Sequence, residues 1–428
     1  MDGPARKYVR RIVDAELDVL LPVLPALSLE GARGVGKTST ALRRARTVRR
    51  MDEPAERAVA YGDLNRLVTG PRPVLIDEWQ RVPESWDTVR RAVDADSSGG
   101  QFLLTGSSAP LEIPTHSGAG RIVTIRMRPL ALSERRIDTP TVSIAELLTG
   151  RRPTVEGATS VDLQRYAEEI VASGFPALRG LPGRALRAQL DSYLERITEH
   201  DFIEQNRPVR SQALLRRWMI AYAAATATTA TYETIRDAAT GGEDNKPART
   251  TTQPYREVLE QLWIIEPVPA WLPTRNPIAR LALPPKHHLA DPALAARLLG
   301  ADAAALLDTR PLGPPIPRSG PLIGALFESL VTLEVRAGAQ AAEANVKHLR
   351  TKGGEHEIDL VVERGDHRVV AIEVKLAQAV ADEDVRHLRW LANQIGDDLL
   401  DAVVVTTGRE AYRRSDGIAV VPAVLLGP

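Results

Sequence analysis

Eight residues near the N-terminus constrain this chain more than any other stretch. They read Gly31-Ala-Arg-Gly-Val-Gly36-Lys37-Thr38, inside the segment ALSLEGARGVGKTSTALRRA. The run before them is apolar and strand-like, and the run after them has helical periodicity. Gly31, Gly34 and Gly36 let the backbone wrap close to an anion, so that N–H groups at the start of the helix point at phosphates. In this spacing Lys37 reaches the β- and γ-phosphates of a nucleotide, and the Thr38 hydroxyl ligates Mg²⁺. Arg33, Val35 and Ser39 complete the cradle. A glycine-rich turn that matched by accident would not need both the strand before and the helix after. The expected frame is a parallel α/β core.

Further strands place acid and hydroxyl groups where such a cradle needs them. In PRPVLIDEWQ the apolar run Val74-Leu-Ile76 leads directly into Asp77 and Glu78. Asp77 is expected to hold Mg²⁺, directly or through water, and Glu78 to polarise the attacking water as general base. The third run, QFLLTGS, ends in Thr105 and Ser107, either of which can sense a γ-phosphate from a neighbouring strand end. SGAGRIVTIRMRPL brings Arg121, Arg126 and Arg128 on or beside a fourth strand. An arginine finger is expected among them, in cis or across a subunit interface, with Arg121 the leading candidate. The bland reading of each arginine is a solvated surface charge.

These segments carry a family resemblance. LEGARGVGKTST, VLIDEWQRVPESW, FLLTGSS and GRIVTIRMRPLALSE resemble the prokaryotic AAA+-type ATPases whose C-terminal half is known only as a domain of unknown function. GFPALR near residue 175, SYLERITEHDF near 195 and PPKHHLADPALAARLLG from Pro284 agree, so the resemblance spans nearly the whole chain. It implies ATP and ADP as ligands, Mg²⁺ as cofactor and ATP hydrolysis as activity. The sequence departs from the family pattern in showing no clear sensor-2 arginine in a recognisable lid.

Composition excludes some classes. The 428 residues suffice for two to four domains, and 55 Lys+Arg balance 55 Asp+Glu. Zero formal net charge argues against a whole-surface nucleic-acid binder and leaves room for a local basic groove. The absence of cysteine rules out disulfides, zinc-thiolate sites and thiol nucleophiles. No apolar run reaches the ~18 residues of a membrane helix, and MDGPARKYVRR has no apolar stretch of a secretory leader, so a cytoplasmic protein is expected. The basic residues are overwhelmingly Arg. The lysines are seven: Lys7, Lys37, Lys246, Lys286, Lys347, Lys352 and Lys375. A lysine kept in such a chain points to a need for an amine.

The expected organisation is a multidomain α/β chain: a nucleotide-binding core over 1–135, a helical domain over 136–210, a winged-helix-like unit over 211–310 and a C-terminal α/β domain over 311–428. In the third unit ALLRRWMIAYAAATATT, TYETIRDAAT and TTTQPYREVLEQLWII read as helices, with GGEDNKPART as a loop. The last helix would present Thr250, Thr251, Gln253, Tyr255 and Arg256 to phosphates or base edges. The alternative is a winged helix that packs on protein. The Pro-rich PLGPPIPRSGP, 311–321, reads as a linker.

The C-terminal domain resembles the restriction-endonuclease-like fold, whose signature is an Asp on one strand and (D/E)xK on the next. EIDLVVERGDHRVVAIEVK supplies Asp359, Glu373 and Lys375. A three-residue turn, Gly365-Asp366-His367, with Gly available for positive φ, sets Arg364 against Arg368 and Asp359 against Glu373. All three charges then project from one face. Paired carboxylates at Asp359 and Glu373 would repel unless a divalent cation joined them. Glu328 is an outer metal ligand in this reading, Lys375 positions a water, and Arg350 and Lys352 hold a DNA or RNA backbone. The bland reading is a solvated cross-strand ion network.

Three functions stand open: an ATP-dependent nucleic-acid-processing enzyme, a nucleotide switch that binds a partner protein in a defence or toxin–antitoxin setting with an inactive nuclease-like domain, and a winged-helix transcription regulator.

Overall fold

The computed structural model describes residues 8–107, 118–204, 211–240, 249–274, 283–308 and 320–428. Residues 241–248 of the expected loop, 311–319 of the expected linker and the Thr250 side chain lie outside them.

The frame of the N-terminal part is a five-stranded parallel sheet. Its strands are β1 (Ala26–Glu30), β2 (Thr47–Arg50), β3 (Val74–Asp77), β4 (Phe102–Gly106) and β5 (Ile122–Arg126), in the order β2-β3-β4-β1-β5. The three inner strands, ALSLE, VLID and FLLTG, are buried almost throughout. That is why they read as unbroken apolar runs: crossover connections cover both faces of a parallel sheet. All five strands point the same way, so the residues that follow β1, β3 and β4 gather at one edge.

The remaining strands are β6 (Val142–Ser143), β7 (Gly157–Ala158), β8 (Ala270–Trp271), β9 (Asn345–Arg350), β10 (Glu357–Glu363), β11 (Val369–Lys375), β12 (Leu399–Thr406), β13 (Glu410–Arg413), β14 (Ala419–Pro422) and β15 (Leu426–Gly427). Eight of them form a mixed sheet ordered β7-β13-β14-β12-β11-β10-β9-β8. One face packs on the helix Gly320–Ala341 through Phe327 and Leu330 against Leu360, Val370 and Ile372. The other face packs on the helix Arg386–Ile395, whose Leu388 and Leu391 meet Val361 and Ala371.

The hairpin turn closes at 365–367: His367 N–H donates to the Arg364 carbonyl, and Arg364 N–H to the Arg368 carbonyl, both at 2.9 Å. Leu360 pairs with Ile372, so Asp359 stands across from Glu373, in the register the sequence suggests. The turn differs in one respect. The left-handed residue is His367, at φ 68°, rather than Gly365. A three-residue loop built on a type I turn needs positive φ at its third position, not its first.

Two other expectations fail. The 136–210 segment is not purely helical, because β7 pairs with β13 at the edge of the eight-stranded sheet and β6 pairs with β15 in a separate two-stranded sheet. In the third unit the helices are Gln212–Ala224, Tyr232–Ala239 and Arg249–Gln261. Two antiparallel bridges follow, Ile265 with Leu289 and Val268 with Lys286. Tyr255, expected to face nucleic acid, is buried against Trp218 and Phe202. Arg256 stacks over the Tyr232 ring at 4.7 Å, and Gln253 donates to Glu257 at 2.9 Å.

Candidate functional site

The cradle forms where β1 gives way to the helix Lys37–Leu42. Gly36, at φ 104°, turns the chain into that helix through a conformation that side-chain-bearing residues rarely adopt. Gly31 has a separate reason: a Cβ there would sit 2.0 Å from the Met127 carbonyl oxygen. Val35 is buried. Gly34 and Ser39 are exposed. Arg33 reaches Asp201 at 2.9 Å, while its carbonyl accepts from the Tyr193 hydroxyl at 3.1 Å. Arg11 ties the loop from behind by donating to the Val35 carbonyl at 2.8 Å.

Lys37 is 5% exposed, and its ammonium donates to the Gly31 and Ala32 carbonyls at 2.7 and 3.0 Å. Burial lowers its pKa to about 8 against the partial support of Glu78. The ammonium thus bonds carbonyl oxygens, while the Glu78 and Asp77 charges favour its protonated form from nearby.

The acidic edge lies beside it. Asp77 is buried at the end of β3, and its Oδ1 accepts from Thr38 Oγ1 at 2.7 Å and from Thr105 Oγ1. Glu78 follows in the left-handed region at φ 55°. That is an uncommon conformation for a non-glycine residue and one that gathers at functional sites. Its Oε2 accepts from Gln80 Nε2 at 2.6 Å and from Ser107 Oγ at 3.0 Å. Gln80 was not singled out by sequence; its position two residues after Glu78 is the only signal.

Arg121 is not in this site. It precedes β5, so it lies at the opposite end of the parallel sheet from the cradle, and it pairs with Asp94 at 2.8 Å on the surface. Arg126, at the other end of β5, stands level with Glu30 beside the cradle. Its guanidinium stacks 3.6 Å over the Trp263 ring, and its nitrogens make no hydrogen bond. Burial draws its pKa down to about 9. Arg128 is committed elsewhere, to Glu266 at 2.7 Å and Gln340 at 2.7 Å.

The second cluster lies at the open end of the β10–β11 hairpin. Asp359 Oδ2 accepts from the Val374 N–H at 2.9 Å, and Lys375 donates to Glu373 Oε2 at 3.1 Å. The other Glu373 oxygen is buried without a partner. Glu328 faces this cluster from the helix Gly320–Ala341. At the centre is a residue to which sequence assigned no role. Lys286, 1% exposed, donates to Glu328 Oε1 and Asp359 Oδ1, each at 2.9 Å, and lies 3.6 Å from Glu357. Burial pushes Glu373 well above the ordinary carboxylate range, with Asp359 adding to the effect. It pushes Glu328 up to about 8. Asp359 is held low despite its burial, chiefly by the Lys286 ammonium. Of the metal set expected from sequence, Asp359 and Glu328 thus converge on the Lys286 amine, while Glu373 pairs with Lys375. Among the described residues no group of three or more His, Cys, Asp or Glu is placed to hold a metal ion. Arg350 and Lys352 lie at the exposed rim, with Arg350 3.4 Å from Glu357.

Comparison with known proteins assigns part of this. The AAA domain family model matches residues 24–135. Two domains of unknown function match the rest, DUF8612 over 163–305 and DUF4143 over 323–426. Uncharacterized proteins of Mycobacterium bovis and Mycobacterium tuberculosis are each 23% identical, over 97% of this chain and 83% of theirs. A Walker-type ATPase of Pyrococcus abyssi overlaps at a TM-score of 0.36 and 16% identity, over 67% of this chain and 94% of its own. The ORC2 protein of Aeropyrum pernix overlaps at 0.31 and 15%, over 69% and 95%. Overlaps at that level carry no argument. The match over 24–135 makes the N-terminal part an AAA-type, P-loop ATPase domain of a nucleotide-binding kind.

Proposed function

We propose that this protein binds ATP with Mg²⁺ in the cradle, hydrolyses it, and uses the nucleotide state to govern contact with a partner protein. The observation that carries the reading is the paired acid–hydroxyl network at one sheet edge. Asp77 is bonded to Thr38 and Thr105, and Glu78 is bonded to Gln80 and Ser107, beside a buried Lys37 whose pKa burial lowers to about 8.

The residues fit a magnesium nucleotide. One carboxylate and one hydroxyl are the few hard oxygen donors such an ion takes from protein when phosphates and water supply the rest. Thr38 and Asp77 would hold it, and once bound it neutralises phosphate charge. Lys37 binds the β- and γ-phosphates, and loop N–H groups orient them. Glu78 takes the proton of the attacking water. Ser107 and Gln80, which fix the Glu78 carboxylate, aim it. Arg126 is the better-placed cis arginine, and Arg121 acts only if it reaches across to another copy.

We read 211–310 as a winged-helix-like unit that packs on protein, and 311–428 as a restriction-endonuclease-like unit that does not cleave. No helix of the described residues is long and apolar enough to cross a membrane, and a cytoplasmic setting suits the reading. The decisive test is turnover. Wild type should release phosphate from ATP in the presence of Mg²⁺, and Glu78→Gln should bind ATP yet fail to turn it over. Absence of binding in both would remove the reading. Salt-dependent DNA or RNA binding by the full chain would replace the protein partner with a nucleic acid.

A further inference from the structure

We infer that the carboxylate cluster of the C-terminal sheet is a cation site filled by the chain's own Lys286, which excludes a divalent ion and joins the middle unit to that sheet. Glu328 Oε1 and Asp359 Oδ1 each lie 2.9 Å from one ammonium nitrogen, with Glu357 at 3.6 Å. A magnesium ion draws its carboxylate oxygens to about 2.1 Å, inside the volume that this nitrogen fills. Ion and ammonium therefore cannot both be seated. A second observation marks the place as a cation site rather than a chance cluster of acids. Glu373 is 2% exposed, and one of its oxygens is buried with no partner beside Asp359. Lys286 bonds Glu328 and Asp359, and that Glu373 oxygen, which no N–H or O–H among the described residues reaches, is left facing the Asp359 carboxylate.

Lys286 is delivered by a fixed backbone. It exchanges both hydrogen bonds with Val268, at 2.8 and 2.9 Å. The next residue is held on both sides, with His287 N–H donating to the Thr228 carbonyl and Ala227 N–H to the His287 carbonyl. The ammonium is thus positioned by the middle unit, while its acceptors belong to β10 and the helix Gly320–Ala341. A metal-dependent phosphodiesterase would need that space for its ion. Here the same electrostatic requirement, a cation among crowded carboxylates, is met without one. The joint needs neither ATP nor the cradle, so it stands apart from the nucleotide binding and turnover proposed above and bears only on the reading that the C-terminal unit does not cleave.

The test is Mn²⁺ binding to the full-length, nucleotide-free protein, read from the loss of the free-ion EPR signal. Lys286→Gln should gain a Mn²⁺ site at least tenfold tighter than any in wild type, and adding Asp359→Asn should remove it. A folded Lys286→Gln protein, with native circular dichroism and unchanged ATP binding, that gains no site would overturn the inference. Should that variant not fold, wild type and Glu373→Gln decide. They should titrate identically with Mn²⁺, because the ion never reaches the cluster. A tenfold loss of Mn²⁺ affinity in Glu373→Gln would show that wild type holds the metal there, and the inference would fail.

Discussion

Lys37 and Lys286 are both almost fully buried, and they are opposite in electrostatic state. Lys37 has two carbonyls for company and a pKa lowered to about 8 by burial. Lys286 is buried more deeply still, yet Asp359, Glu328 and Glu357 raise its pKa far past the ordinary lysine range. Burial alone therefore does not decide what a lysine does. The deciding quantity is whether the protein has already supplied the anion. An amine bonded to carbonyls suits the phosphate receptor proposed above; an amine bonded to carboxylates suits the joint proposed above.

Glu78→Gln gives the largest expected effect on the first of these sites. Removing a positioned general base lowers turnover by about 10²–10⁴-fold, with nucleotide binding retained, as phosphate release and equilibrium binding would show. Methionine in place of each lysine then separates the two directly. Lys286→Met leaves buried carboxylates without their counter-charge and should cost about 3–5 kcal/mol, seen in denaturant melts. Glu328→Gln added to it should return part of that loss. Lys37→Met should leave the nucleotide-free protein at least as stable as wild type, because burial of the removed charge outweighs the support it draws from Glu78. It should weaken ATP binding by about 100-fold, the loss of two charge-assisted contacts. Equal destabilisation by the two substitutions would break the comparison.

The sequence made Lys37 legible and left Lys286 opaque for a physical reason. The cradle is local: its glycines, lysine and threonine fall within eight residues, and the flanking periodicities test them. Asp77 and Glu78 are equally readable, since an apolar run ending in acids marks the edge of a buried parallel strand. The hairpin register was also local, set by loop length and pleat, although the positive φ at His367 needed the turn type. Lys286, by contrast, meets Glu328 and Asp359 across 42 and 73 residues. Strand alternation gives a face but not the partner that arrives on it. Lysine scarcity was the one available hint. The short strands β6 and β7, two residues each, exist only through pairing with β15 and β13, so no propensity announces them. The relative places of Arg121 and Arg126 were also readable: once all strands are parallel, the arginine that follows Ile125 lies at the cradle end of the sheet and Arg121 at the other.

Titration sharpens the contrast at smaller amplitude. Free Lys37 loses its proton near pH 8, whereas a bound phosphate restores it. ATP affinity should therefore fall as pH rises through about 8, by up to about tenfold per pH unit, with proton uptake on binding. Calorimetry in buffers of different ionisation enthalpy measures that uptake directly. An affinity independent of pH from 7 to 9.5 would mean that Lys37 already holds its proton over that whole range before nucleotide arrives.

The smallest effect belongs to Glu328. Burial, and then the Asp359 charge, raise its pKa from 4.5 to about 8, while Lys286 pulls the other way. Between those two values the folded chain keeps a proton that the unfolded chain releases. Stability from this group is complete below the unfolded value and is lost as pH climbs toward the folded one. One group contributes at most about 1.4 kcal/mol per pH unit. Glu328→Gln removes the titration while keeping a side chain that still accepts from Lys286, so its Tm should fall less than wild type's between pH 5 and 8. Glu334 also titrates in this window, its pKa raised to about 7 by burial, but it is common to both proteins and cancels in the difference. Asp359, held low, changes charge at more acid pH and does not enter. Parallel Tm curves would mean that Glu328 is ionised throughout and that Lys286 bears two full carboxylate charges. The joint would then be stronger, and a divalent ion would compete with the ammonium for it on more even terms.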